Sequence, residues 1–366
     1  MLTVLAGLFV LTVVVIFHEF SHLLIAKWNG VKVIRFSVGF GPILFSKKIG
    51  ETEYAVSLLP LGGYILPLSQ EAVALFKATP PKSLKEKLLV LVPPLKECQS
   101  LEPQEKYMEL KPPWQRMAIA AAGPVSNYIL ALGIFIGLYF FAGTPILTSK
   151  VMEVKENSPA MQAGIQKGDI ILKVNKKPVE NWEEVVLAVR SVPKDEDLNL
   201  LVNRNNEQLC IKLKLKSGPI GIMGGEEVFK NPYQPVNSIK NGAHYLYFLN
   251  KESVLAFRKM FLGKMRAQDS LAGPVAIVSL SGQMLRMGFY AYILWIGMIS
   301  FAVGFMNFLP LPVMDGGHVA LIAVEVIRGK PLNKKVGEAI MSVGVMLLIS
   351  LALFSLYFDI SRLVSK

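Results

Sequence analysis

Charge, cysteine and histidine are all scarce in this chain of 366 residues, and each shortage narrows the reading. Asp, Glu, Lys and Arg make up 18% of the residues, against about 25% in ordinary globular chains, while 52% are hydrophobic. A large core would absorb some of that excess, but the apolar residues fall into blocks long enough to span a bilayer, which no core requires. Two cysteines, Cys98 and Cys210, permit at most one disulfide, and the topology argued below puts them on opposite sides of a membrane. Histidine occurs only at His18, His22, His244 and His318, so any metal site draws on a short list. The formal charge of +12 is spread through loops between apolar blocks, which points to anionic lipid headgroups and to no nucleic-acid partner.

Four apolar blocks stand out, over 1–27, 115–142, 289–318 and 337–358. The first has neither the basic start nor the small-residue cleavage site of a secretory signal peptide, so it reads as a retained span. Lys27, Lys32, Arg35, Lys47, Lys48, Lys106, Lys111 and Arg116 flank the first loop, and Arg328, Lys330, Lys334 and Lys335 occupy the loop after the third span. Basic residues near spans stay on the cytoplasmic side. Both termini and residues 143–288 are therefore expected outside, and residues 28–114 and 312–336 inside.

Within the first span, His18-Glu19-Phe20-Ser21-His22 forms an H-E-x-x-H motif. On a helix its two histidines share one face and reach one metal, with Glu19 beside them as a general base for a hydrolytic water. Two imidazoles and a carboxylate inside a bilayer cost several kcal/mol on most estimates, so such residues persist chiefly where they act. A hydrolytic zinc needs a third ligand. Asp315 is the candidate, in Asn307-Phe308-Leu309-Pro310-Leu311-Pro312-Val313-Met314-Asp315-Gly316-Gly317-His318, where two prolines should break the third span. A helix cap or turn residue is the plain alternative for Asp315, and His318 is the rival ligand. At 1.5 Å per residue His18 lies roughly 24 Å from the outer end of its span, so both halves of the site meet in the cytoplasmic half of the bilayer.

HEFSH together with NFLPLPVMDGGH resembles the site-2 protease family of intramembrane zinc metalloproteases, most nearly the bacterial RseP type with a single PDZ domain. AAGPVSNYILA (122–131 from its second alanine) and LAGPVAIVSLSG (271–282) are similar to further segments of that family, so the likeness runs nearly the whole chain. The resemblance implies one catalytic Zn2+ held by His18, His22 and Asp315, with Glu19 as catalytic acid and base. It also implies that Asn307 and Asn127 line the site as candidate substrate-binding residues. Residues 36–64, β-prone pieces broken by Gly-Pro and Lys-Lys-Ile-Gly-Glu, read as a hairpin-like element, and in the family this region resembles a re-entrant β element that takes substrate as an added strand. Gly62 and Gly63, near its end, join the substrate-binding candidates. An ordinary cytoplasmic loop is the alternative for this segment.

Residues 149–216 alternate in short β-like runs around a helix candidate at Trp182–Ser191, and Ser158-Pro159-Ala160 through Gly168-Asp169 resembles the SPAxxAGxxxGD signature of bacterial PDZ domains, which bind extended peptides. Residues 217–288 read as a linker with amphipathic helices that lie on the membrane or gate the site. The 66–113 insertion, with its Pro-Pro pairs, has no functional account.

The expected architecture is thus a polytopic α-helical membrane protein of four transmembrane helices, with a membrane-associated β-hairpin-like element and one extracytoplasmic PDZ-like α+β domain. The expected setting is the bacterial inner membrane. The expected substrates are single-span membrane proteins already trimmed outside, of the anti-sigma factor or remnant signal-peptide type. Two rivals remain. A zinc transporter would place ligands along a crossing path and add a His-rich loop, and a catalytically idle PDZ scaffold would have no use for Glu19.

Overall fold

In the computed structural model, residues 1–69, 103–193, 197–214, 220–262, 273–330, 333, 335–337, 339–347, 349–350 and 354 are described. They divide into two compact units, one of residues 1–136 with 242–366 and one of residues 137–241.

The first unit opens with helix α1 (Leu2–Trp28), whose 27 residues reach about 40 Å, more than a bilayer's hydrocarbon thickness. It stops at Asn29, whose side chain donates to the Ile25 carbonyl while the Gly30 and Val31 amides turn back to Lys27 and Ala26, so the last carbonyls are satisfied before the chain leaves. Strands β1 (Val33–Ile49) and β2 (Thr52–Pro67) follow. They are long, and their pairing is more elaborate than a hairpin. Phe36 stands opposite both Ile65 and Tyr54, and Val38 opposite both Gly63 and Val56, while Lys47 also meets Tyr54. The sheet therefore runs in the order 63–67, 33–38, 53–57, 43–49, with 63–67 on an outer edge. Leu23, Ala26, Val31, Val33, Phe36 and Ile119 bury the inner face of this sheet against the helices.

Helix α2 (Pro113–Phe141) begins on a proline, which lacks only an N–H that the first turn would leave unpaired. Pro124 in its interior offers no N–H to the Ala120 carbonyl, a defect tolerated at membrane depth where neighbouring helices re-satisfy the backbone.

The second unit carries β3 (Thr144–Leu147), β4 (Val151–Val154), α3 (Pro159–Gln162), β5 (Ile170–Val174), β6 (Lys177–Pro178), α4 (Trp182–Arg190), β7 (Asp197–Arg204), β8 (Glu207–Lys214), β9 (Ile222–Gly224) and β10 (Glu227–Lys230). A four-stranded sheet in the order β6-β5-β7-β8 packs with both short helices around Val151, Ile171, Leu198, Leu200 and Val202. Ser158 caps α3 and Asn181 caps α4, each accepting from an N–H three residues on. Asp169 is buried, accepts from the Gln166 N–H and is held by Arg204 through Nε and Nη2, each at 2.7 Å. Burial pushes the Asp169 carboxyl up, but the bonds from Arg204 and Gln166 outweigh it and hold it below the usual carboxylate range. The unit is wider than the 149–216 expected, because β9 and β10 pair back onto β4 and β3. Three or four residues of strand carry too little alternation to announce themselves.

The first unit resumes within α5 (Pro235–Phe261) and continues through α6 (Pro274–Met287), α7 (Phe289–Phe308) and α8 (Asp315–Arg328). Tyr245, Leu246 and Leu249 of α5 pack on Phe135 of α2 and Phe301 of α7, so this helix lies along the apolar helices with one face covered. The third apolar block ends at Phe308, short of the 318 expected, because Pro310 and Pro312 stop the helix and α8 starts afresh. Among the described residues three helices, α1, α2 and α7, are long and apolar enough to cross a membrane. The fourth span, expected over 337–358, falls in part on residues outside those described, as does most of the 66–113 insertion.

Candidate metal centre and catalytic cavity

The i, i+4 spacing on α1 brings His18 and His22 side by side, their Nε2 atoms 3.3 Å apart. Asp315, the first residue of α8, comes from the far end of the chain. Its Oδ2 stands 3.0 Å from His18 Nε2 and 3.5 Å from His22 Nε2. Asp315 is delivered by a tight reversal after α7. Leu311 N–H bonds to Leu309 O at 2.7 Å and Met314 N–H to Leu311 O at 3.1 Å, while Val313 adopts a φ of +78°, a conformation that costs a β-branched residue strain. Gly316 and Gly317 make the reversal possible. A Cβ on either would stand 2.4 Å from the Phe308 carbonyl oxygen or 2.1 Å from that of Leu311.

The donor set and its spacing fit zinc. Ligand atoms about 2.0–2.1 Å from one tetrahedral zinc stand about 3.3 Å apart, and the three separations here bracket that value. Two imidazoles and one carboxylate are a hydrolytic ligand set. Asp315 Oδ2 is buried and lacks a well-aligned hydrogen-bond donor, which suits an atom reserved for a cation. A third observation comes from α2. A Cβ on Gly123 would lie 2.2 Å from His22 Nε2, 2.5 Å from His18 Cε1 and 2.6 Å from His18 Nε2, so α2 packs directly on both rings. Glycine permits that approach.

The ligand rings are held from behind. His22 Nδ1 meets the Ile119 carbonyl at 2.7 Å, which makes Nδ1 the protonated nitrogen and frees Nε2. His18 Nδ1 meets the side-chain amide of Asn127 at 3.2 Å. Ser126 Oγ donates to the Phe17 carbonyl and Ser300 Oγ to the Asn127 carbonyl, tying α2 to α1 and α7 at this depth. Arg116 of α2 grips Glu325 of α8 through two hydrogen bonds, at 3.1 and 2.5 Å. The helices that carry the site are thereby tied to one another.

A cavity of about 470 Å³ opens beside these atoms, walled by His18, Glu19, His22, Asp315 and residues 63–65 of the sheet's outer edge. Glu19 borders the cavity but lies outside the three-atom cluster, as suits a base rather than a ligand. Gly63 lies against it, since a Cβ there would stand 2.9 Å from Glu19 Cγ and 2.9 Å from the Ser37 carbonyl oxygen. Gly62 instead packs under the Phe40 ring. Asn307 turns its Nδ2 back to the Val303 carbonyl of its own helix at 3.0 Å, and Asn127 is wholly buried, so neither borders the cavity as these side chains stand. His318 lines the cavity, one helical turn beyond Asp315, and is not one of the three clustered ligands. Sequence alone gave Gly123, Gly316 and Gly317 no part in the site, and gave Arg116 a part in orientation only. Only the small residues beside the HEFSH and DGG runs hinted at close packing.

Residues 6–351 match Peptidase family M50. A putative zinc metalloprotease of Agrobacterium fabrum is 32% identical over 373 residues, covering 97% of this chain and 94% of its own. The regulator of sigma-W protease RasP of Bacillus subtilis is 27% identical over 426 residues, covering 99% of both. A solved structure of the HtrA3 PDZ domain bound to a phage-derived ligand is 31% identical, covers 20% of this chain and 82% of its own, and superposes with a TM-score of 0.17.

Proposed function

Because this chain belongs to peptidase family M50, a family of zinc metalloproteases, we propose that it cuts single-span membrane proteins inside the bilayer after their outer parts have been trimmed. The observation that carries this reading is a metal-ligand triangle at a cavity walled by an unpaired strand edge, set among helices apolar enough to cross a membrane. His18, His22 and Asp315 hold the zinc, which when bound serves as a Lewis acid for the scissile carbonyl and lowers the pKa of water. Glu19 removes the proton from the attacking water and returns it to the leaving amine, a transfer that its place on the cavity wall allows. A helical substrate hides its amides in its own hydrogen bonds, so it must be drawn out before attack. Among the described residues, 63–67 pair on one side only, with 33–38, and their other edge supplies backbone donors and acceptors to an extended substrate strand. Gly63 keeps that edge close to Glu19.

The inner membrane is the proposed setting, with the termini outside and the site in the cytoplasmic half. The Bacillus subtilis relative is named for the regulation of sigma-W, which favours anti-sigma factors as substrates, with signal-peptide remnants as the second class. The 137–241 unit is proposed to face outward and take a peptide segment as PDZ domains do. The test is cleavage of a trimmed single-span substrate in liposomes by wild type and by Glu19→Gln, with bound zinc measured in both. Cleavage by the wild type alone, at equal zinc content, is expected. Equal cleavage by both proteins would refute the role of Glu19, and metal flux without cleavage would favour a transporter.

A further inference from the structure

A neutral imidazole carries one N–H, so a histidine that ligates through Nε2 must keep its proton on Nδ1 and present it to an acceptor. His22 has such an acceptor in the Ile119 carbonyl. For His18, the partner of Nδ1 among the described residues is the Asn127 side chain at 3.2 Å. With Nδ2 turned toward the ring, Nδ1 has to act as acceptor, which leaves the proton on Nε2, facing Asp315 and His22. Asn127 Oδ1 is then buried without a partner. Rotating the amide half a turn about its Cβ–Cγ bond exchanges two ends of nearly equal shape and sets Oδ1 against the ring nitrogen.

Packing does not explain this amide. Asn127 is fully buried between α1 and α7, where an apolar side chain of similar volume would avoid the ~1–3 kcal/mol that an unsatisfied buried polar group costs. Nor does it reach the cavity, which removes direct contact with substrate. Among the described residues its one polar side-chain contact is with His18.

We propose that Asn127 is a positioning residue, which accepts the Nδ1 proton of His18 through Oδ1 and so selects the tautomer whose Nε2 faces the metal. This rests on His18, His22 and Asp315 being the zinc ligands. An amide acceptor also holds the ring plane toward Asp315, so its loss weakens metal binding without removing a ligand.

The test uses the full-length protein in detergent. Zinc dissociation constants are measured by chelator competition, and thermal unfolding of the metal-free forms is followed for wild type, Asn127→Leu, Asn127→Asp and His18→Ala. Asn127→Leu is expected to weaken zinc about 10–100-fold. Asn127→Asp, whose carboxylate accepts the same proton but cannot donate one, is expected to stay within about threefold of wild type. If Asn127→Asp weakens zinc about 10-fold or more relative to wild type, the acceptor role is wrong, and this outcome stands even should the leucine variant fail to fold. If Asn127→Leu folds and binds zinc as wild type does while His18→Ala does not, the inference falls and the ligand assignment survives. Full zinc binding by His18→Ala would overturn both.

Discussion

Replacing Gly123 by alanine adds one methyl group at the point where α2 crosses the metal ligands. The position is helical, so in an open setting alanine would stabilise the helix by about 1 kcal/mol. Here the new Cβ would stand 2.2 Å from His22 Nε2, 2.5 Å from His18 Cε1 and 2.6 Å from His18 Nε2. Non-bonded carbon and nitrogen rest about 3.5 Å apart, so the overlap is about 1 Å against three atoms at once. Two responses are open to the protein. The rings swing away, in which case His22 gives up its bond to Ile119, worth about 1 kcal/mol, and the ligand triangle opens. Otherwise α2 withdraws from α1, and the Ser126 bond to Phe17 is lost with it. In either case the rings lose the support of α2 that holds them beside Asp315. Zinc affinity should fall by more than the ~10–100-fold typical of losing a supporting hydrogen bond. Metal-free Gly123→Ala should still fold, with a melting temperature close to the wild type's. Chelator-buffered zinc titration and thermal unfolding of the apo forms measure both quantities. Wild-type zinc affinity in a folded Gly123→Ala protein would refute the placement of α2 against the ligands.

Three further outcomes are expected. Gly63→Val presses on Glu19 and the strand edge but not on the ligands, so kcat should fall at least ~10-fold with zinc content unchanged; loss of zinc would contradict this separation of roles. Removing either partner of the Arg116 and Glu325 pair should cost about 1.5–3 kcal/mol, and a double-mutant cycle on thermal stability should return a coupling energy of that order; additive effects would mean the two helices are not joined there. Asp169 has a folded-state pKa below its unfolded one, so its contribution is present above the ordinary carboxylate value of about 3.9 and is lost as pH falls below it. Hydrogen exchange across the 137–241 unit should therefore show acid weakening below about pH 4 that Asp169→Asn lacks, since the variant starts weaker at neutral pH; identical acid profiles would count against the Arg204 contact.

The clustering of the candidate ligands was legible because a helix converts sequence spacing into geometry. His18 and His22 share a face by the period alone, and the same apolar run that makes α1 a span gave their polarity its meaning. Asp315 was legible through its prolines, which mark where a span has to stop. What escaped was everything set by approach between distant elements. Gly123 earns its place through a neighbour a hundred residues away, and nothing local distinguishes it from Gly133 or Gly137, which meet nothing within 4 Å. The fourfold order of the sheet was hidden for a related reason, since alternation tells which faces are apolar but not which pieces pair. Asn127 was read as a substrate contact from its position in a motif. Its burial and its contact with His18 are tertiary properties that no local pattern announces.

The long chain interval between the HEFSH helix and Asp315 has a consequence for biosynthesis. At about 5–20 residues per second, a ribosome needs on the order of 15–60 s to travel from His22 to Asp315. For most of that time the first helix, with its two histidines and Glu19, has left the ribosome. The chain lacks the carboxylate that completes the metal cage, and α8, which Arg116 clasps, does not yet exist. The proposed site is therefore assembled only with the last helices, and a chain cut short before α8 carries an incomplete ligand set.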